Sequence, residues 1–337
     1  MTPNRGGTPA ASSEDQLLAR IRRALSVPQG NSASLRLAIG DDAAVFRPRS
    51  GYETILTCDW FLEGSHFLRE QHPPDSVGWK CLARAASDLA AMGAEPRCFL
   101  VSLAIPAAAT GVWLDGFLRG LRAASLKLSC PAAGGDTTRH DQILINTTVV
   151  GECRRGQAIL RDGARPGDAI FVSGPLGEAE LGLRLIRNHQ RRLSRHDARL
   201  RKHLYPQPRL RVGTWLAQQR LATAMMDLSD GLSSDLPRLC AASGVGARIE
   251  ARRIPIPRLS GPESKKYDAF QLALYGGDDY ELLFTVAAEN ISRIPRRVAG
   301  SPLILIGRVV HETNILLIAE SRQEIPLLRK GWDPFRN

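Results

Sequence analysis

The sequence predicts a mixed α/β (α+β) protein made of two domains, each built of sheet and helices. Its 337 residues exceed the usual size of a single domain. Short apolar or β-branched runs alternate with longer segments of helical periodicity, which is typical of this fold class. A first domain is predicted over residues 14–151 and a second over residues 155–337. Residues 1–13, rich in Gly, Pro, Thr, Ser and Asn, are predicted to form a flexible tail.

Three segments of the first domain have the apolar periodicity of amphipathic helices, namely residues 14–25, 77–92 and 112–126. Four apolar or β-branched runs bounded by Gly, Pro or Asp are predicted to be strands, at residues 35–39, 54–57, 98–105 and 143–150. In the second helix, Cys81, Ala85, Asp88 and Met92 recur at helical spacing and share one face. Asp88 is therefore a charge on an apolar face. A cap or a turn could explain it, but the neighbouring acidic motifs favour a ligand.

The second domain begins with a turn-rich stretch at residues 161–168, followed by a strand at 169–172 and a helix at 178–187. The glycine-rich turn between them, residues 173–177, could hold a phosphate on backbone N–H groups. It could equally be a capped turn, which is the favoured interpretation. A further helix begins at Gly231-Leu232. Further strands are predicted at residues 224–226, 247–249, 282–286 and 303–306.

The composition, 43% hydrophobic and 23% charged, is that of an ordinary globular protein. No apolar run approaches the roughly 18 residues of a membrane helix, and the N-terminus lacks the apolar segment of a secretion signal. A membrane partner is therefore not expected. Six cysteines without a CxxC pair or a metal-binding spacing predict reduced, mostly buried thiols in a cytoplasmic protein.

The net charge is +11, from 45 Lys and Arg against 34 Asp and Glu, and much of the excess lies in residues 184–211. Such a stretch could bind the phosphates of RNA. It contains one aromatic residue, Tyr205, and no recognisable nucleic-acid motif. A solvated basic helix face, which could also steer anionic substrates, is the favoured interpretation. Nucleic acid is thus not the expected partner.

Six short acidic motifs at the ends of apolar runs are the most informative feature of the chain. They are Gly40-Asp41-Asp42, Thr57-Cys58-Asp59, Ser87-Asp88, Gly134-Gly135-Asp136, Asp227-Leu228-Ser229-Asp230 and Gly276-Gly277-Asp278-Asp279. Converging carboxylates repel one another unless cations lie among them. Hard oxygen ligands without a His/Cys spacing favour magnesium over zinc. The motifs therefore predict a site that several Mg²⁺ ions help to form, and with it phosphate chemistry.

Each motif also has a simpler interpretation. Asp230 could be a plain N-cap of the following helix, whereas Asp227 has no such explanation. A single Gly-Gly-Asp motif is more often a hairpin turn than a ligand site. His66 is one of seven histidines, and a lone histidine is more often structural than functional. The sequence has no GxxxxGK[ST] loop, no protein-kinase glycine-rich loop and no nucleophile elbow. If ATP binds, metal ions and scattered backbone amides must hold it.

Taken together, the motifs resemble those of the thiamine-monophosphate kinases, which belong to the aminoimidazole ribonucleotide synthetase-like superfamily. The matching segments follow the family order: IGDDAAV (39–45), DWFLEGSHF (59–67), SDLAAMGAEP (87–96), GGDTT (134–138), LRDGARPGD (160–168), MDLSDGLSSDL (226–236), YGGDDYELLF (275–284) and GWDPF (331–335). They cover nearly the whole chain beyond the tail.

The resemblance implies an ATP-dependent phosphorylation of thiamine monophosphate to thiamine diphosphate by direct in-line transfer. The implied magnesium ligands are Asp42, Thr57, Cys58, Asp59, Asp88, Asp136, Asp227 and Asp230, with Thr57 and Cys58 assisting through side chain or backbone. The implied ATP contacts are Gly135, Asp136, Arg161 and Ser229. The implied contacts to the thiamine compound are His66, Asp278 and Trp332. No residue is expected to act as a covalent nucleophile.

Three positions depart from the family pattern. The family usually has Glu at the position of Asp278, so the reach here is one methylene shorter. It usually has Ser or Thr at Cys58, where only the backbone carbonyl is a dependable magnesium ligand. It often has Tyr at Trp332, whose ring still offers a flat face to a cationic thiazolium.

The resemblance also implies a homodimer in which the N-terminal sheets of two subunits pair. Three other functions remain open from the residues. One is a sister ATP-dependent synthetase of the same superfamily, although the spacing from Asp59 to His66 and the GWDPF segment favour the kinase. Another, from a different class, is an RNA-binding protein that uses residues 184–211. The third is a metal-dependent phosphohydrolase.

Overall fold

The computed structural model describes residues 8–26, 34–188, 197–333 and 335. Contacts between residues divide the chain into two compact units. The first unit comprises Met1–Ala86 and Pro96–Glu152, and the second comprises Ser87–Glu95 and Cys153–Asn337. The second unit therefore includes the short segment that carries Asp88, which the sequence analysis places in the first domain.

The described residues of the first half of the chain form the helices α1 (Glu14–Leu25), α2 (Pro74–Ala91) and α3 (Val112–Lys127). Its strands are β1 (Leu35–Leu37), β2 (Val45–Phe46), β3 (Tyr52–Leu62), β4 (Glu95–Ile105), β5 (Ala132–Arg139) and β6 (Leu144–Arg154). Four of these strands form a sheet in the order β3-β6-β4-β5, in which β4 and β5 are parallel. Strands β1 and β2 form a separate antiparallel pair.

Helices α2 and α3 pack against each other at two glycines. A Cβ atom on Gly78 would lie 2.0 Å from the carbonyl oxygen of Phe117, and one on Gly120 would lie 1.8 Å from that of Asp75. Any larger side chain at either position would force the two backbones apart. This close crossing explains why helical segments of the first domain carry glycine in their interiors, where it is otherwise unfavourable.

In the second half, the part of the chain that the structure describes forms the helices α4 (Glu178–Asn188), α5 (Arg201–Leu204), α6 (Leu210–Gln219), α7 (Leu232–Ser243), α8 (Pro262–Lys266) and α9 (Ala269–Tyr275). Its strands are β7 (Ala169–Val172), β8 (Ala222–Leu228), β9 (Gly246–Glu250), β10 (Glu281–Val286), β11 (Arg297–Val298), β12 (Ser301–Pro302), β13 (Ile304–Val310), β14 (Ile315–Ile318) and β15 (Glu324–Pro326). Seven strands form one sheet in the order β15-β14-β9-β13-β7-β10-β8. Within it β9 and β14 are parallel, and the other described pairs are antiparallel.

The seven-stranded sheet is buried on both faces. Leu283 of β10 is in register with Val172 and Met226, and these side chains belong to a core that also includes residues of α7. The next residue, Phe284, belongs to a separate core on the opposite face, which includes residues of α6. Because successive side chains of a strand point to opposite faces, β10 reads as a continuous apolar run. The sheet with its two helical layers thus positions the loops at the ends of β8 and β10.

Several predicted elements agree closely with the structure. Helix α1 and strand β7 have the bounds predicted at 14–25 and 169–172. Strand β3 is longer than the predicted 54–57, because polar residues alternate along its second half and interrupt the apolar run. The segment Gly134-Gly135-Asp136, interpreted from sequence as a turn or ligand loop, lies inside strand β5 instead.

Part of the predicted tail makes defined contacts. The N–H of Ala11 donates to Thr110 Oγ1 at 2.9 Å, and the Ser13 hydroxyl caps α1 by accepting the N–H of Gln16. Residues 1–7 lie outside the described residues. The described helices include none long and apolar enough to cross a membrane. All six cysteines are free thiols, and five of them are buried, with Cys58 the exposed one.

Candidate functional site

The predicted site residues fall into two groups, one in each compact unit. The first unit carries Gly135, Asp42, Thr57, Cys58, Asp59, His66 and Asp136. The second carries Asp88, Arg161, Asp227, Ser229, Asp230, Asp278 and Trp332.

Strand β3 presents its three predicted ligands to two different sides. Thr57 and Asp59 alternate with Cys58, so the Cys58 thiol lies on the opposite face of the strand. The Cys58 Sγ is 3.1 Å from the amide nitrogen of Asn146, whereas Asp59 Oδ2 is 3.3 Å from Arg84 Nε. The thiol and the Asp59 carboxylate therefore cannot hold the same ion through their side chains. A magnesium ligand at Cys58 beside Asp59 therefore stays a prediction for the backbone carbonyl of Cys58.

The Gly-Gly-Asp segment of β5 has a structural reason for one of its glycines. Gly135 has φ +156°, and a Cβ atom there would lie 1.9 Å from the carbonyl oxygen of Val101 on the neighbouring strand. The glycine is thus required for strand pairing, whether or not a ligand approaches. Asp136 follows it, is exposed, and accepts the N–H of Thr137 at 2.9 Å.

The sheet separates Asp59 from Asp136. Their strands, β3 and β5, lie at opposite edges of the four-stranded sheet, three strand spacings apart. This is roughly 14 Å between strand axes, farther than one ion bound at about 2.1 Å to each carboxylate can bridge. Asp42 lies exposed in the loop between β1 and β2, where its N–H donates to the carboxylate of Asp41 at 2.8 Å. Among the described residues, no group of three or more His, Cys, Asp or Glu could hold one metal ion.

His66 lies just beyond the end of β3 and is half-buried. Its Nδ1 accepts the N–H of Leu62 at 3.0 Å, and its ring centroid is 5.8 Å from that of Phe61. When the imidazole is neutral, this hydrogen bond places the ring proton on Nε2. His66 is therefore fixed in orientation and tautomer by its own turn.

The loop between β8 and α7 carries Asp227, Ser229 and Asp230, and Asp235 of α7 holds it in place. Asp235 Oδ2 accepts the N–H of Ser229 at 3.1 Å and the N–H of Asp230 at 3.0 Å. Asp235 is fully buried, and burial together with the charge of Asp230 raises the pKa of Asp235 to about 6. Arg238 Nη1 donates to the carboxylates of both Asp230 (2.5 Å) and Asp235 (2.7 Å).

The structure shows whether Asp230 and Asp227 cap the helix that follows this loop. The N-cap of α7 is Gly231, without a side-chain hydrogen bond, so Asp230 is not a plain N-cap. Asp227, which had no capping explanation, is buried at the end of β8. The supporting residue Asp235 was missed, although an acid in the first turn of a helix is a recognisable signal.

Backbone hydrogen bonds join this loop to two other predicted segments. The N–H of Asp278 donates to the carbonyl of Ser229 at 2.8 Å, and the N–H of Trp332 donates to the carbonyl of Asp230 at 3.0 Å. The hydroxyl of Tyr280 donates to Asp278 Oδ1 at 2.8 Å, and the Trp332 side chain is largely exposed. The structure thus brings together four predicted residues that are up to 103 positions apart, Ser229, Asp230, Asp278 and Trp332.

The second acid of the Gly-Gly-Asp-Asp motif has a different task from the first. Asp279 caps helix α4, because its carboxylate accepts the N–H of Gly177 at 2.5 Å and that of Ala179 at 3.2 Å. This confirms the favoured interpretation of the glycine-rich turn at 173–177 as a capped turn. Burial raises the pKa of Asp279 to about 6, against the opposing effect of Lys202 and the two N–H groups.

The basic segment contributes to this part of the fold. Lys202 Nζ is 2.9 Å from Glu281 Oε1, and Arg209 binds both oxygens of the same carboxylate. Although burial alone would raise it, these two cations hold the pKa of Glu281 below its ordinary value. Arg199 pairs with Asp197 and Glu263. Lys202 and Arg209 therefore pair with a buried acid and are not part of a solvated face, whereas Arg199 pairs with acids at the surface. Arg191, Arg192 and Arg195 lie outside the described residues.

Arg161 and Asp88 are the other predicted residues of the second unit. Arg161 is exposed, and its carbonyl accepts the hydroxyl of Ser243 at 3.2 Å. Asp88 is half-buried near the end of α2, and its carbonyl accepts the N–H of Met92. A cleft of about 560 Å³ in the second unit is lined by residues that include Gly163, Arg165 and Asp168.

Models of the AIR synthase related protein N-terminal and C-terminal domains match residues 40–153 and 165–318. The thiamine-monophosphate kinase of Bacillus subtilis (strain 168) is 34% identical over 315 residues, which are 90% of this chain and 95% of that protein.

Solved structures of thiamine-monophosphate kinases are also similar to this chain. The crystal structure of thiamine-monophosphate kinase from Stenotrophomonas maltophilia is similar with a TM-score of 0.75 and 35% identity, covering 89% of this chain and 95% of that chain. A structure of AaThiL complexed with AMPPCP and TMP is similar with a TM-score of 0.74 and 30% identity, covering 99% of each chain.

Proposed function

The chain belongs to the AIR synthase related protein family, among its thiamine-monophosphate kinases, and from this we propose that it transfers the terminal phosphoryl group of ATP to thiamine monophosphate. The family resemblance and the mixed α/β fold predicted from the sequence are confirmed. The chain is a kinase, a phosphotransferase whose acceptor is itself a phosphate. The products are thiamine diphosphate and ADP.

The observation that carries this proposal is the convergence of the loops of Ser229, Asp230, Asp278 and Trp332 in the second unit. In the proposed reaction Ser229 contacts ATP, together with Gly135, Asp136 and Arg161. Asp278 and Trp332 contact the thiamine compound, together with His66. A carboxylate and an exposed indole ring suit the cationic thiazolium, because the first offers opposite charge and the second an electron-rich face.

The donor set suits magnesium. The proposed magnesium ligands are Asp42, Thr57, Asp59, Asp88, Asp136, Asp227, Asp230 and the backbone of Cys58. All of these groups bind through oxygen, and none is a His or Cys side chain. Such a donor set favours a hard cation. Magnesium is commonly held by one or two carboxylates, with waters and substrate phosphates completing the shell. Pairs such as Asp227 and Asp230, three positions apart across one fixed loop, fit that mode of binding.

The reaction needs charge neutralisation more than proton transfer. The second pKa of a phosphate monoester is about 6, so at neutral pH the acceptor is largely a dianion and requires no general base. When bound, magnesium supplies positive charge between two anionic phosphates. The residues of the chain hold both substrates in line and fix their orientation, which is the general pattern of phosphoryl transfer. No activated Ser or Cys is required.

An ADP-release assay with purified protein, ATP, magnesium and thiamine monophosphate tests the proposal. We expect ADP and thiamine diphosphate in equal amounts, and no turnover when thiamine replaces its monophosphate, because the acceptor is a phosphate oxygen. Phosphate release without thiamine diphosphate would instead show a phosphohydrolase. Salt-sensitive RNA binding without any ADP release would show an RNA-binding protein.

We also propose that the protein acts as a homodimer in the cytoplasm. Leu56 and Trp60 of β3 are 68% and 55% exposed, and they lie on the same face of the strand as Cys58. Exposed apolar side chains on one strand suit a sheet that pairs with a second copy. The six free thiols suit a reducing compartment. Light scattering on the purified protein measures the oligomeric state.

A further inference from the structure

Four charged side chains form a network of ion pairs next to the loop that carries Asp278. They are Lys202, Arg209, Asp279 and Glu281, and with Ser173 we call them the Glu281 network. Asp279 and Glu281 are 3% and 0% exposed, and the Lys202 side chain is 13% exposed. The network lies entirely within the second unit.

The Glu281 carboxylate contacts three side chains, those of Arg209, Lys202 and Ser173. Arg209 donates from Nη2 to Oε1 at 2.5 Å and from Nε to Oε2 at 2.6 Å, which is the two-pronged geometry of a guanidinium on a carboxylate. Lys202 Nζ lies 2.9 Å from Oε1, and the Ser173 hydroxyl donates to Oε2 at 2.7 Å. The same hydroxyl accepts the N–H of Leu282 at 2.7 Å, so the carboxylate is tied to the backbone of its own strand.

Asp279 is held equally firmly. Its carboxylate accepts two N–H groups at the start of α4, and Lys202 Nζ lies 3.5 Å from Oδ1. Lys202 therefore lies between the two acids, and together with Arg209 it balances their charge. It also donates to the carbonyl of Pro175 in the turn before α4.

The network surrounds the strained part of the loop. Asp278 and Tyr280 have φ of +65° and +51°, a conformation that residues other than glycine adopt only when their surroundings hold them there. Asp279 lies between these two residues, and Glu281 follows them directly. The two acids thus anchor the loop by their side chains, in addition to the backbone hydrogen bond from Asp278 to Ser229. The Asp278 carboxylate lies near His203, whose Nδ1 is 3.8 Å from Oδ2.

We propose that Lys202 and Arg209 are positioning residues, which hold Asp278 in place for the thiamine compound by clamping Asp279 and Glu281. This rests on the proposed function, in which Asp278 contacts that substrate. It also assigns a role to part of the basic segment. A buried ion pair adds little stability over apolar residues of the same size, so a geometric role explains the network better than stability does.

The experiment compares Arg209→Met with Arg209→Lys, Lys202→Met and the exposed neighbour Arg211→Met as control. Hydrogen exchange by mass spectrometry reports on peptides that span residues 276–281 and, for comparison, on α7. The KM for thiamine monophosphate and the KM for ATP are measured on the same preparations. Thermal melting establishes that each variant is folded.

For Arg209→Met and Lys202→Met we expect faster exchange in residues 276–281 and unchanged exchange in α7. The KM for thiamine monophosphate should rise about tenfold to a hundredfold, because a displacement of about 1 Å costs up to about a hundredfold, while the KM for ATP stays the same. Arg209→Lys should recover part of the loss, and Arg211→Met should behave as the wild type. If Arg209→Met does not fold, Arg209→Lys should show the same division between the two KM values to a smaller degree.

Folded variants with unchanged exchange in residues 276–281, or with both KM values raised equally, would overturn the proposal. A wild-type protein without activity on thiamine monophosphate would overturn the proposed function. In that case the exchange measurement still decides whether Lys202 and Arg209 hold the loop.

Discussion

Arg238 Nη1 lies 2.5 Å from Asp230 Oδ2, so the guanidinium on helix α7 holds one of the proposed magnesium ligands by its side chain. The same nitrogen is 2.7 Å from Asp235 Oδ1, and the other oxygen of Asp235 accepts two N–H groups of the loop. The loop is thus held by side-chain hydrogen bonds at three points within its own segment. A cation at Asp230 would share a carboxylate that is already oriented.

Replacement of Asp235 by Ala should destabilise the protein by about 2–4 kcal/mol, because two loop N–H groups and Arg238 lose a buried acceptor. Urea denaturation measures the free energy of unfolding. Asp235→Asn, which keeps one oxygen acceptor, should lose less. A loss below about 0.5 kcal/mol for Asp235→Ala, the size of an ordinary surface substitution, would show that the loop does not depend on this carboxylate.

Replacement of Asp227 or Asp88 by Asn should reduce kcat by roughly a hundredfold or more while the fold stays intact, because a direct ligand is lost and even the groups that support metal ligands contribute about 10- to 100-fold. The rate is measured across a magnesium titration, and melting temperature serves as the folding control. A near-normal rate at saturating magnesium would contradict the ligand role of these acids.

Substitutions at two neighbouring positions of β3 should differ in their effect on turnover. Cys58→Ser should leave kcat and the magnesium requirement unchanged, because the thiol points away from Asp59 and contacts Asn146. Asp59→Asn should abolish most turnover. Steady-state kinetics of both variants at several magnesium concentrations tests the pair. A raised magnesium requirement for Cys58→Ser would mean that the thiol does assist the metal.

Some elements of the fold were predictable from the sequence and others were not. Helix α1 and strand β7 were predictable to the residue, because their periodicity and their boundaries are local signals. The GGDTT segment was not, because glycine and aspartate are poor strand formers, and it is the pairing with Val101 that makes Gly135 part of a strand. Tertiary contact overrides local propensity there.

The same reason explains why the sequence did not reveal the partners of several acids. Asp278 and Asp279 are adjacent in one motif, yet the first accepts the hydroxyl of Tyr280, two positions away. The second caps α4, across about 100 positions of sequence. Glu281 binds Arg209 over 72 positions. Spacing along the chain carries no information on such pairs. The sequence therefore predicts a solvated face for the basic segment and does not predict these ion pairs.

Asp278→Glu should keep or improve activity, because Glu is usual in the family and reaches one methylene farther. It should also cost about 1 kcal/mol of stability, because Asp278 has φ +65° and a longer side chain tolerates that conformation less well than Asp. The KM for thiamine monophosphate and the free energy of unfolding are both measured. A large loss of activity would show that the shorter acid has a different role in this chain.

The stability of the protein should depend on pH through Asp279. Its pKa is raised from the ordinary 3.8 to about 6 in the folded protein, chiefly by burial. A carboxyl whose folded pKa is raised contributes stability fully below its unfolded pKa, and that contribution is lost as pH rises through about 6. Over the whole titration, from below the unfolded pKa of 3.8 to above about 6, the loss should amount to roughly 3 kcal/mol, since one pKa unit corresponds to about 1.4 kcal/mol.

Asp279→Asn removes this titration, so the free energy of unfolding of the wild type minus that of the variant should fall as pH rises from 4 to 7. Denaturation by urea at several pH values gives this difference, in which the other titrating groups largely cancel. Glu281, whose pKa is lowered by Lys202 and Arg209 despite burial, acts in the opposite direction and only below its ordinary 4.5. A difference that is constant or rises with pH would show that Asp279 is held as a carboxylate without cost.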